Sequence, residues 1–235
     1  MIGTPQEIDQ VCSAALRLAH TGSWSHARDL LGVLDVCDRV RLVRAQVMLD
    51  EAFWTGSDLV RPVEALPRDD FRWESELLTA QARYYSALRQ RLSGTDPAGV
   101  LQLVADLEHL VETAPDAAAR STAAFFLGVA HENLDGDVIA ARSAYDRANA
   151  GDDLTTSYVL RHLAGHAADA GDSGTAHTLA VQALRLRQRA GHLPGALAQF
   201  LQIDDREPVR AMVTAWAHEI GATTLAKMAN AGRTD

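Results

Sequence analysis

Apolar residues recur at steps of three and four along most of the chain, the spacing that lays one stripe down the side of a helix. In the first such stretch, Glu7 to Leu18, the stripe is Ile8, Val11, Cys12, Ala15 and Leu18. It ends at Thr21-Gly22, where glycine permits the left-handed backbone that closes a helix. A second stretch, Ser25 to Val36, carries Ala27, Leu30, Leu31 and Leu34. Together they predict an antiparallel hairpin, with Ala27 small enough to let the two backbones approach.

The alternation of stripe and turn continues. Helices are predicted over 39–54, 71–92 and 99–113, with a short segment ending at Pro67 and a turn at Ser93-Gly94-Thr95-Asp96-Pro97. Beyond Ala114-Pro115-Asp116 the pattern becomes regular: 117–134 pairs with 137–150 and 154–170 with 173–190. A shorter pair follows, 195–203 and 207–219, then a capping helix over 222–230. The expectation is an all-α protein, an α-solenoid of antiparallel helix pairs. It divides into irregular amino-terminal hairpins (1–114) and regular hairpins with a capping helix (115–235).

One spacing occurs three times: a glycine with small or apolar residues five, nine and twelve places later. Gly22 is followed by Ala27, Leu31 and Leu34, Gly136 by Ala141, Tyr145 and Ala148, and Gly171 by Ala176, Ala180 and Ala183. In the third copy Leu163, Ala164 and Ala167 complete the pattern before the glycine. The second adds Leu127 and Gly128 but carries one extra residue at Asp135-Gly136-Asp137 and His131 at an aromatic position. This register resembles the tetratricopeptide repeat, and the segment from Tyr158 to Asp172 is similar to the tetratricopeptide regions of bacterial regulatory proteins. The resemblance implies a superhelix whose concave wall is the first helix of each pair. On that register Phe125, Val129, Glu132 and Asn133 face the groove from one hairpin and Tyr158, Arg161, Gly165 and Asp169 from the next. Arg83, Tyr84 and Arg91 join them from the long earlier helix.

Charge narrows the partners. The 22 Lys plus Arg face 31 Asp plus Glu, a formal charge of -9, so the surface field repels phosphate backbones and nucleic acid is not an expected partner. No apolar run approaches the roughly 20 residues that span a bilayer, and no leader-like segment opens the sequence, so a cytoplasmic protein is expected. The two cysteines, Cys12 and Cys37, lack C-x-x-C spacing and read as reduced thiols. Glycine-rich phosphate loops and a G-x-S-x-G elbow are absent.

Candidate chemistry gathers in the second and third copies. A protein or peptide would find aromatic anchors in the groove, and Arg161 to clamp a carboxylate. His131 and Asp135 stand one turn apart, as do His162 and His166, which makes the four a candidate Zn or Fe ligand set. Without metal, His131, Glu132, Arg161, His166 and Asp169 form a candidate small-molecule site, with His131, Glu132, His166 and Asp169 as candidate catalytic groups. The leading expectation is a protein- or peptide-binding scaffold or regulatory receptor without cofactor. The alternative is a small-molecule-binding protein or enzyme on the same scaffold. Homodimerisation through the amino-terminal half is a third arrangement. Phe53-Trp54, Trp73, Tyr84-Tyr85, Phe125-Phe126 and Trp216 are expected core anchors, and Asp69-Asp70, Asp152-Asp153 and Asp204-Asp205 expected helix caps.

Overall fold

The computed structural model describes residues 3–64, 66–67, 70–148 and 151–231. Among them the chain is all-helical, 79% helix in twelve helices with no strand. It forms two compact units, Met1–Phe71 with Arg187–Asp235, and Arg72–Leu186.

The first unit contains α1 (Pro5–His20), α2 (Trp24–Gly32), α3 (Asp38–Thr55), a 3-10 turn at Arg61–Val63, α10 (Leu193–Ile203), α11 (Glu207–Glu219) and α12 (Thr223–Asn230). Helix α1 starts three residues before the apolar stripe does, because Thr4 and Glu7 form a reciprocal capping box and Pro5 suits the first turn. Leu31, Val43, Val47 and Trp54 share one core with Leu197, Val213 and Leu225. The amino- and carboxy-terminal helices therefore belong to one unit, and the Thr223 hydroxyl donates to the Thr55 carbonyl. A helix stands over the predicted segment 222–230 as α12, and it packs on α3, α10 and α11.

The second unit holds α4 (Arg72–Leu92), α5 (Val100–Glu112), α6 (Ala117–Ala130), α7 (Val138–Ala148), α8 (Asp153–Asp169) and most of α9 (Ser173–Arg189). Consecutive helices α4 to α7 pack on one another around Leu103, Leu107, Leu110, Phe126 and Leu127. The break placed at Ala114-Pro115-Asp116 is a turn inside this unit, between packed α5 and α6, where Asp116 caps α6 by accepting from the Ala119 amide at 2.8 Å. The units instead divide at Phe71–Arg72 and Leu186–Arg187, the second of these within α9.

Two side-chain expectations need correction. Trp216 is 49% exposed on α11 and anchors no core. Asp204 does not cap α11; its carboxylate binds the Arg206 side chain at 2.6 and 2.9 Å, and Arg206 holds the capping position. Asp152 does cap α8, accepting from the Thr155 amide at 2.7 Å. The Asp69 of the first acidic pair lies outside the described residues.

Candidate functional site

The extra residue of the second glycine copy shapes the second unit. At Gly22, Gly94, Gly171, Gly191 and Gly221, the residue after the glycine donates its amide to the carbonyl five residues earlier, the usual closure of a left-handed glycine cap. At Gly136 the bond spans six, Asp137 N–H to His131 C=O at 3.1 Å. The added residue is absorbed as a single π turn, His131–Asp135, which continues α6. Such turns cluster at functional sites.

Four successive residues of this turn are each tied down. His131 Nδ1 lies 3.2 Å from Asp135 Oδ2. Asn133 Nδ2 donates to the Tyr84 hydroxyl of α4 at 2.8 Å. The Leu134 carbonyl accepts from the Arg91 guanidinium, which also pairs with Asp96 at 2.8 Å. Glu132 is the hub: Oε1 accepts from His162 Nδ1 at 3.0 Å, and Oε2 accepts from Tyr145 Oη at 2.6 Å and from His166 Nε2 at 3.1 Å. One carboxylate thus joins the π turn to α7 and to two successive turns of α8.

Aromatic rings wall this cluster. Tyr145 stacks on His162 with centroids 5.3 Å apart, and Phe125 stacks on Tyr158 at the same separation. Gly128 lets α6 approach α7 here, since a Cβ at that position would overlap the Tyr145 ring. Burial pushes the Glu132 carboxyl up, but the hydrogen bond and charge of His162, the Tyr145 hydroxyl and His166 outweigh it and hold it at about 2. Burial, then the bond to Glu132, pushes the Tyr145 hydroxyl upward, so it stays a donor. Tyr84 is raised by burial and by the Glu132 charge, against the opposing Asn133 bond. Burial alone lowers Arg161.

The predicted residues separate into groups. Glu132, His162 and His166 come together. Asn133 points to Tyr84 instead, and Tyr84, Phe125 and Val129 are buried in the core rather than presented on a groove wall. Tyr158 and Arg161 are half-buried on α8 and remain candidates for contact. Asp169 is exposed at the end of α8. Arg83 pairs with Asp106 of α5. The four candidate metal ligands split, because His131 engages Asp135 while His162 and His166 engage Glu132. Among the described residues, no group of three His, Cys, Asp or Glu is placed to hold a metal ion.

Two features were not anticipated. The spacing places Tyr145 among the small or apolar positions after Gly136, yet its hydroxyl makes the shortest bond to Glu132; the extra residue at Asp135-Gly136-Asp137 is the one sequence signal that precedes it. The first unit hides a second polar cluster. Trp24 Nε1 donates to Asp50 Oδ2 at 2.7 Å, His192 Nδ1 caps α10 by accepting from the Gly195 amide at 3.0 Å, and Arg187 donates to the Gly195 carbonyl at 2.7 Å. Arg187 and His192 are each 1% exposed.

No family model, characterised protein or solved structure matches the chain. Among the described residues no helix is long and apolar enough to cross a membrane.

Proposed function

We propose that this protein is a non-catalytic, cytoplasmic adaptor or regulatory receptor. In this reading tetratricopeptide-like helix pairs, stacked as a solenoid, take a protein or peptide segment against the face of α8 that carries Tyr158 and Arg161. The observation that carries the reading is the state of Glu132. Both its oxygens are occupied by three donors from two other helices, and its carboxyl sits at about 2. A general base works best with a pKa near the working pH. Glu132 is held far from that range, so it serves as a clamp that sets the His162, His166 and Tyr145 side chains. A pre-set surface is what a receptor needs, because rigid contact groups lose little entropy on binding.

The reading is tested by crosslinking in the native host with wild type, Arg161→Ala and the control Arg142→Ala, an exposed position on α7. The receptor reading expects a partner held by wild type and by Arg142→Ala and lost by Arg161→Ala, with unchanged unfolding midpoints. A partner retained by Arg161→Ala at wild-type yield overturns the assigned face.

A further inference from the structure

Helix α11 is apolar on two opposite faces. Val213 and Ala217 are fully buried, and Val209 and the capping residue Ile220 lie half-buried beside them in the core of the first unit. Opposite them Pro208, Ala211, Met212, Ala215, Trp216 and Glu219 recur at the three- and four-residue spacing of a single helical face. All six are exposed, Trp216 at 49% and Met212 at 38%, and only Glu219 is polar. The charged groups of α11 sit in its end turns, Glu207 and Arg210 at one end and Glu219 beside His218 at the other, so none falls between Ala211 and Ala217.

Water ordinarily faces polar residues. On α1 of the same unit the exposed positions after Pro5 are Gln6, Glu7, Asp9, Gln10, Ser13 and Arg17. A helix that is apolar all round is normally covered on both sides, and aromatic residues and methionine are the side chains that interfaces favour.

The stripe also indicates its cover. Pro208 mirrors Glu219, Ala211 mirrors Trp216 and Met212 mirrors Ala215 about one midpoint, between Val213 and Thr214, so reversing the helix reproduces the same set of positions. Such a face suits a two-fold axis through that midpoint, with two copies antiparallel. Trp216 then stands at the height of the second copy's Ala211 and Met212, where alanine leaves room for the indole and the thioether packs on its ring. The ends are complementary too. Glu207 and His218, about three turns apart, share one edge of the stripe, and the two-fold brings each Glu207 toward the second copy's His218. An open cleft of about 320 Å³ along that edge, lined in part by Glu207, Ala211 and Thr214, leaves room for the imidazole. Glu219 meets the positive dipole end of the opposite helix, which Arg206 precedes.

We propose that α11 is a homodimerisation surface, taking the α11 of a second copy of this chain antiparallel across a two-fold axis with Trp216 as its anchor. One helix about 20 Å long covers less than the roughly 800 Å² per partner of a standard interface, so the pair is transient, with a Kd on the order of 10 μM. The surface shares no residue with the α8 face of the receptor reading, and the two stand or fall separately.

The test is sedimentation equilibrium of the full chain at about 0.15 M salt, where the like net charges are screened beyond about 8 Å, over about 1 μM to 1 mM, a range that brackets that affinity. The expected result is a monomer–dimer equilibrium. Trp216→Glu and Met212→Glu should each weaken it by at least about 30-fold, the contribution of a central anchor, with the unfolding midpoint of the dilute chain unchanged. Ser13→Glu, on the exposed face of α1, should dimerise as wild type does. Isotope-filtered NMR on mixed labelled and unlabelled chain should show Trp216 ring protons touching the second copy's Met212 methyl group. A monomer mass over the whole range overturns the proposal and leaves the face to a different protein. A dimer that survives Trp216→Glu at full strength, or one without the Trp216–Met212 contact, overturns it as well.

Discussion

Tyr145 Oη donates to Glu132 Oε2 at 2.6 Å, and this bond joins α7 to the π turn that interrupts the end of α6. It is the shortest of three bonds converging on one carboxylate. Replacing Glu132 by alanine would leave a buried hydroxyl and two imidazoles without their acceptor. Removing one partner of a mostly buried network costs more than the net worth of its bonds. With the Glu132 side chain 22% exposed, Glu132→Ala should lose about 2–4 kcal/mol. Urea unfolding of wild type and variant measures this. A loss below about 0.5 kcal/mol, the range of ordinary surface changes, would mean the cluster contributes nothing to stability.

Acid should expose the same carboxylate. Its folded pKa, about 2, lies below its ordinary value of 4.5. The group therefore contributes stability that is fully present above pH 4.5 and is lost as pH falls toward 2. At 1.36 kcal/mol per unit the contribution is about 3 kcal/mol. Unfolding midpoints measured at steps between pH 6 and 2 should fall more steeply in wild type than in Glu132→Gln, which has no charge to lose. Parallel curves would place the acid sensitivity elsewhere.

Much of the helical plan was legible because it rests on local periodicity. Ala15, Ala27 and Leu31, and likewise Ala141, Tyr145 and Ala148, are buried where the spacing placed them. The division into units was not legible. It depends on Leu197, Val213 and Leu225 joining Val43 and Val47, and contacts across so many residues leave no mark in a window of fifteen. At the site, His162 and His166 share a helix face by arithmetic, and Glu132 stood beside them in the repeat register. What escaped was direction. The π turn re-aims His131 and Asn133, so His131 leaves the set of candidate ligands and Tyr145 enters the cluster.

Two glycines on neighbouring helices should respond in opposite ways. A Cβ on Gly128 would overlap the Tyr145 ring, whereas one on Gly165 meets nothing within 4 Å. Overpacking costs about 1–3 kcal/mol, and Gly128→Ala should lose at least that, with a loosened Tyr145 visible in the aromatic NMR region. Gly165→Ala removes a helix-interior glycine without a clash and should gain up to about 1 kcal/mol. Thermal unfolding of the two variants side by side decides it. Equal destabilisation would contradict the open space beside Gly165.

His192 offers a test confined to the first unit. Its Nδ1 accepts the Gly195 amide at 3.0 Å, which requires that nitrogen to be unprotonated, and its ring contacts His20 and Trp54. Facing charges are Asp50, with Oδ1 3.8 Å from Nε2, and Arg187, which donates to the Gly195 carbonyl. Asparagine caps a helix with a shorter, non-titrating side chain, while alanine does not cap; losing a cap costs about 1–2 kcal/mol. His192→Ala should therefore be less stable than His192→Asn by about that amount, the lost ring packing being common to both. Amide hydrogen exchange should localise the difference to the first turn of α10, Leu193 to Ala196. If the two variants exchange alike there, the imidazole serves α10 only by filling space.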